Sequence, residues 1–161
     1  MEIPVDSKDI PKLAASLALS FAAAIIGALA VTPNIAWQDT LSKPFFAPPN
    51  WLFGPAWAVL FLLMAIAFYL VWQKWPAKEA KWAMALYMAQ LALNVLWNYL
   101  FFGMHWINLG LVEIIVLLAM ITLTVNAFYR VDKRAAYLMT PYLLWVAFAT
   151  CLNAALWLLN P

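Results

Sequence analysis

Residues 37–57, WQDTLSKPFFAPPNWLFGPAW, decide how this chain is read. Four prolines (Pro44, Pro48, Pro49, Pro55) and three tryptophans (Trp37, Trp51, Trp57) share the stretch with only two charges, Asp39 and Lys43. Proline fixes φ and biases the residue before it toward extended backbone, so 43–50 is expected to be stiff, with few hydrogen bonds of its own. Its indoles suit a water–lipid boundary, where a ring has one wet and one dry side. Long apolar runs flank the stretch on both sides, which makes it a semi-rigid lid over the mouth of something in a membrane.

Working outward, composition supplies the membrane. With 68% apolar and 10% charged residues, the chain lies far outside the range of a soluble domain. Five runs approach or exceed the roughly 20 residues that a helix needs to cross the hydrocarbon. They are residues 13–31, 52–72, 82–102, 107–129 and 135–159, with the lid at 32–51 and a short charged turn, QKWPAKEAK, at 73–81. The expected fold is all-α, one five-transmembrane-helix bundle over residues 1–161. A cleaved signal peptide with Ala28-Leu29-Ala30 as its cleavage site is the rival reading of the first run, disfavoured by the run's length and a leader that is not clearly positive. Residues 1–11 read as an exposed, partly mobile polar lead.

Five alternating crossings put eight of the nine Lys and Arg residues on the face that carries the N-terminus, and only Lys43 on the lid face. The positive-inside rule then makes the N-terminus cytoplasmic in an inner or plasma membrane; in an outer membrane the rule does not apply. Cys151 is the sole cysteine, so no intramolecular disulfide forms. A net charge of +2, scattered among apolar runs, offers no footprint for nucleic acid.

Depth separates the tryptophans. Trp37, Trp51, Trp106 and Trp157 near the lid face, and Trp72, Trp75 and Trp82 near the other, are belt positions. Trp57 and Trp97 fall roughly 9 Å below the lid face at about 1.5 Å per residue, and Trp145 falls near mid-membrane. An indole N–H at that depth wants a partner, so these three are expected to face inward, onto one another or onto a ligand. Plain core packing, or a ring facing lipid, is the alternative.

Gln90, Asn94 and Asn98 recur every four residues along one side of the third helix, with Asn153 on the fifth at a depth comparable to Asn98. Such amides commonly bond helix to helix. That Asn94, Asn98 and Asn153 share the lid half with Trp57 and Trp97 points toward a cavity. Glu113, the only acid at membrane depth, reads as an interfacial carboxylate held by a polar neighbour or water. His105 is the sole histidine, so neither a zinc site nor a two-histidine haem site can be assembled, and no metal is expected. No glycine-rich phosphate loop and no Ser-His-Asp set is visible, so any chemistry rests on aromatic side chains and the ligand's own reactivity. Ala23 and Gly27, four apart, would let a neighbouring helix approach, and Ala85 and Ala89 suggest a dimer face on the third helix.

Several blocks carry a resemblance in order along the chain: Trp37 with Lys43-Pro44, then Pro48-Pro49, Phe53-Gly54-Pro55 and Trp57; Leu93-Asn94, Trp97-Asn98 and Leu100-Phe101-Phe102; Pro141-Tyr142-Leu143, Trp145, Phe148-Ala149 and Asn153. The chain resembles the translocator protein family, also called tryptophan-rich sensory proteins or peripheral benzodiazepine receptors. The resemblance implies a five-helix bundle, usually dimeric, with a pocket under the first loop for porphyrins (protoporphyrin, haem-like tetrapyrroles) and benzodiazepine-type drugs. It implies tetrapyrrole sensing, transport or light-dependent degradation, with porphyrin as ligand and no required cofactor. Trp57 and Trp145 take the positions tied to photochemistry in the family, and Trp37, Asn94, Asn98, Trp97 and Phe148 complete the implied ligand site.

Two departures from the family pattern bear on function. Gln38 stands where many members have tyrosine, and no Lys or Arg follows Arg134, so the family's sterol motif is incomplete. Leu63, Tyr69 and Lys74, and Val125, Tyr129 and Lys133, fit the loose sterol pattern elsewhere, a pattern that arises easily by chance. A sterol- or lipid-binding, or purely structural, membrane protein without porphyrin chemistry is the alternative reading.

Overall fold

The computed structural model describes residues 9–161; the first eight residues of the expected polar lead lie outside them. Six α-helices follow one another: α1 (Ile10–Val31), α2 (Ile35–Thr40), α3 (Asn50–Trp72), α4 (Lys78–Asn98), α5 (Ile107–Val131) and α6 (Lys133–Leu159). All but α2 are long and apolar enough to cross a membrane, and no strand occurs among the described residues. The chain is an integral multi-pass membrane protein built as a five-helix bundle.

Proline and aspartate punctuate the helices. Pro11 occupies the first turn of α1, where a missing N–H costs little. After α1 the chain tightens into a 3-10 turn, Thr32–Asn34, around Pro33. Pro49, with φ −65° and ψ 145°, is the extended residue from which α3 starts. Asp132 alone separates α5 from α6, and its carboxylate caps α6 by accepting from the Arg134 backbone N–H at 2.9 Å and from the Arg134 guanidinium at 2.8 Å. The Arg134 partner holds the Asp132 carboxyl below the usual carboxylate range.

Four of the five spans begin earlier than their apolar runs, by two to four residues. The charged segment 78–81 was expected to lie in a turn, yet it forms the first turn of α4. Lys78, Glu79 and Lys81 are exposed there, so their heads stay wet while the backbone is already helical. The lid also departs from an irregular loop. Its first part is helical (α2), and only the segment after Thr40 is extended, with one turn where the Ala47 N–H donates to Pro44 O at 3.0 Å.

Around the bundle the helices pack in the cyclic order α1, α3, α6, α5, α4. The half remote from the lid is solid. Phe68, Tyr69, Leu70 and Val71 are consecutive buried residues of α3, so the end of that helix is covered on every side. Met64, Tyr87, Ile121, Phe128 and Met139 fill the space around it, with the Phe68 and Tyr87 rings stacked at 4.5 Å. Gly27 does what its spacing suggested: a Cβ there would stand 2.9 Å from Asn98 Nδ2, so α1 meets α4 where a side chain on α1 would intrude. Of the sterol-like triads, Tyr69 is wholly buried and its triad presents no ring to lipid; Tyr129 is exposed, with the Lys133 ammonium 5.3 Å over its ring.

Candidate ligand-binding site

The lid half of the bundle is hollow. A cavity of about 670 Å³ lies between the helices under the lid, within the range of small-molecule sites. Trp57 of α3, Trp97 of α4 and Trp145 of α6 all line it, together with Asn94 and Asn98. The depth argument therefore brought together residues that do converge.

Each indole is braced by aromatic edges. Trp57 lies 5.6 Å from Phe61 and 6.2 Å, edge to face, from Tyr142. Trp145 meets Phe53 edge-on at 5.9 Å. Trp97 stacks on Phe101 at 5.0 Å and donates its Nε1–H to Asn153 Oδ1 at 3.2 Å. Asn153 in turn donates to the Ile107 carbonyl at 3.0 Å, which ties α4, α6 and the start of α5 at one point. Gly110 sits beside this tie, where a Cβ would be 3.3 Å from Phe101 and 3.4 Å from Asn153 Oδ1.

The amides serve two purposes at once. Asn94 donates to the Tyr142 hydroxyl at 3.1 Å, which donates to Gln90 Oε1 at 3.0 Å, all three buried. Asn98 donates to the Asn94 carbonyl at 2.9 Å. Asn94 thus joins α4 to α6 and lines the cavity, whereas Asn98 lines the cavity and bonds only within α4. Tyr142 was part of a quoted sequence block but not named for the site; its mid-membrane hydroxyl, which needs a partner for the same reason as the deep indoles, was the available signal.

Two expected site residues stand outside the lining. Trp37 lies in α2, where its ring stacks on His105 at 4.1 Å and meets Phe101 at 5.6 Å, so it braces the lid. Phe148 is one step behind the wall, 6.0 Å from Trp145 and 6.3 Å from Phe46 of the lid. Glu113 has both carboxylate oxygens buried, and among the described residues no protein group bonds them, so a polar neighbour is not what holds it. It is not among the residues that face the cavity. Asn153, whose depth pointed toward a cavity, lines it too, and Phe21, Ile25, Trp51 and Phe53 line it without having been placed in the site.

The lid is fastened at three points. Ser42 N–H donates to Asn160 Oδ1 at 2.9 Å and Asn160 Nδ2 donates back to Ser42 O at 3.1 Å, a two-way clamp onto the end of α6. His105, at φ 58° in the turn between α4 and α5, places Nε2 3.1 Å from Asn34 Oδ1. Asp39 accepts from Lys43 at 2.9 Å and from Asn50 at 2.6 Å, fixing the lid to the start of α3. Among the described residues, no three His, Cys, Asp or Glu side chains gather as a metal site.

A roofed cavity with three indoles in a five-helix bundle is now comparable with known proteins. The model of the TspO/MBR family matches residues 16–158. The tryptophan-rich protein TspO of Archaeoglobus fulgidus is 42% identical over 155 residues, covering 95% of this chain and 97% of that one. The human translocator protein is 34% identical over 150 residues, covering 92% and 89%. The tryptophan-rich sensory protein of Cereibacter sphaeroides is 40% identical over 117 residues, covering 73% and 72%. With the match running from within α1 almost to the end of α6, the chain belongs to the TspO/MBR family.

Proposed function

We propose that this protein binds porphyrins, and benzodiazepine-type ligands of similar planarity, in the cavity beneath the lid, as part of tetrapyrrole sensing or transport. The observation that carries the reading is the joint presence of Trp57, Trp97 and Trp145 on one wall system of about 670 Å³. A planar apolar macrocycle gains most from stacking on aromatic faces and from leaving water. Among the described residues the Trp57 and Trp145 indoles have no protein acceptor, so both remain as donors to a bound molecule. Asn94 and Asn98 each give one amide hydrogen to the protein and keep a second, so a ligand's carboxylates turn toward these amides or toward the wet edge of the lid.

Light-dependent degradation of the macrocycle is a second reading, favoured by the placement of Trp57 and Trp145 in the same cavity. Dioxygen would be the oxidant and the excited macrocycle the sensitiser. For an inner or plasma membrane we further infer a cytoplasmic N-terminus, on the side of Lys12, Lys74, Lys78, Lys81, Arg130, Lys133 and Arg134, and we assign a homodimer face to α4, where Ala85 and Ala89 are exposed.

The deciding measurement is a titration of the purified protein with protoporphyrin in the dark and under illumination. Saturable binding with tryptophan quenching, weakened in Trp57→Phe/Trp145→Phe, supports the binding reading; non-saturable uptake equal in both proteins refutes it. Faster loss of porphyrin absorbance with the protein than with the double variant, in light and oxygen, supports turnover, and equal rates refute that part alone.

A further inference from the structure

We propose that ligands reach the cavity from the bilayer, through a lateral opening between α1 and α3, while the lid stays fastened. The inference rests on the ligand-binding reading above and concerns how that site is reached.

Two independent sets of observations carry it. On the water side the lid is fastened by the Asn160–Ser42 clamp, the Trp37–His105 stack and the Asp39–Lys43–Asn50 cluster, which tie it to α6, to the α4–α5 turn and to α3. On the lipid side the wall is incomplete. Of the residues that line the cavity on α4, α5 and α6, none is exposed. Those on α1 and α3 behave differently: Phe21 is 36% exposed, Ile25 63% and Trp51 72%, with Ala28, Gly54 and Ala58 also exposed.

These residues trace the two edges of a slot. Phe21, Ile25 and Ala28 are spaced four and three apart on α1, and Trp51, Gly54 and Ala58 three and four apart on α3, so each set forms one stripe on neighbouring helices. From Phe21 to Thr32 the slot is roughly 16 Å long at about 1.5 Å rise per residue. It therefore runs from the middle of α1 to the lid, at depths where a membrane-spanning helix faces acyl chains. What lies against such an opening is hydrocarbon, and a planar apolar ligand partitions there before it binds. Gly54 keeps the slot wide: a Cβ on it meets nothing within 4 Å.

That empty space makes the test clean, because bulk at position 54 fills the slot without striking the fold. The protein is reconstituted in vesicles with Cys151→Ser, which removes the lipid-exposed thiol, and Ala149→Cys, which places one thiol in the cavity wall. A bilayer-partitioning maleimide is expected to label this thiol and a charged, impermeant maleimide to fail. Gly54→Phe, with Ala58→Phe as a second variant should the first fold poorly, is expected to slow labelling by about tenfold.

In proteins with the native Ala149, Gly54→Phe is expected to slow association and dissociation of protoporphyrin together, leaving equilibrium affinity within about twofold. Asn160→Ala, which releases the lid from α6, leaves both rates unchanged. Rapid labelling by the charged reagent, or protoporphyrin exchange accelerated by Asn160→Ala and unaffected at position 54, overturns the lateral route. Failure of the wild type to bind protoporphyrin refutes the ligand reading, while the labelling arm still decides the route.

Discussion

Replacing Tyr142 by Phe tests whether the cavity floor is held by its buried amides. The substitution keeps the ring, so the edge-to-face contact with Trp57 at 6.2 Å survives, and it removes only the hydroxyl that bridges Asn94 and Gln90. Two bonds are lost, at 3.1 and 3.0 Å, in a place with no exposure to solvent. In a soluble core an orphaned polar group costs about 1–3 kcal/mol. Inside a membrane the reference state also finds partners for its polar groups, and measured interhelical bonds average roughly 0.6 kcal/mol. The membrane value governs here, so about 1.2 kcal/mol is expected for the pair. Reversible unfolding in mixed detergent and dodecyl sulfate micelles measures it. A double-mutant cycle with Asn94→Leu should return a coupling of roughly 0.5 kcal/mol or more, beyond the scatter of independent sites. Protoporphyrin affinity should fall as well, because Asn94 loses the bond that fixes its amide at the cavity wall. A variant as stable as the wild type within about 0.3 kcal/mol, and additive with Asn94→Leu, would refute the bridge as a structural tie.

Three further outcomes follow from named contacts. Asn160→Ala should raise amide exchange at Ser42 and its neighbours while leaving α3 and α5 protected, since the clamp joins only the lid and the end of α6. Gly27→Ala and Gly54→Ala, the same chemical change, should diverge in binding: at Gly27 the new methyl displaces the Asn98 amide 2.9 Å away and weakens ligand affinity, whereas at Gly54 it meets open space and is neutral to stabilising by up to about 1 kcal/mol. Acid should weaken the α5–α6 junction. The Asp132 carboxyl titrates lower when folded than when unfolded, so its contribution is complete above the ordinary carboxylate value near 4 and is lost as pH falls through the folded value. Unfolding measured from pH 6 to pH 3 should show that loss in the wild type and not in Asp132→Asn, which keeps a capping oxygen without a titrating charge.

How much of this was legible in the chain follows from what kind of physics set each feature. The five spans were legible because the length of an apolar run answers to one external dimension, the thickness of the hydrocarbon. Their ends were less so: Lys78, Glu79 and Lys81 read as a turn, although long charged side chains can start a helix while their heads stay in water. Trp57, Trp97 and Trp145 were legible from depth alone, since an indole far from both interfaces needs an internal reason. Trp37 and Phe148 rested on resemblance, and both brace the site from outside its lining. The α1–α3 slot had no local signal, because Ala28, Gly54 and Ala58 become its edges only through the spacing between two helices.

The cavity persists because the two halves of the bundle are stabilised by different means. In the half remote from the lid, α3 is buried on all sides between Met64 and Val71, apart from Ile66, and dispersion across close-packed rings holds the helices together. Such packing would collapse a hollow if it continued to the lid. From Asn94 outward packing narrows to a cluster around Phe101, Phe102, Leu152 and Leu156, and directional bonds at fixed separations join the helices and the lid: Asn94 to Tyr142, Trp97 to Asn153, Asn153 to Ile107, Asn160 to Ser42. A hydrogen bond sets a distance and a direction without requiring the space beside it to be filled, so these ties space the walls while leaving volume between them. The polar residues of the lid half therefore answer a mechanical need as well as a chemical one. Apolar replacements at Asn94 or Asn153 that preserve overall stability should still shrink the hollow and exclude a planar ligand.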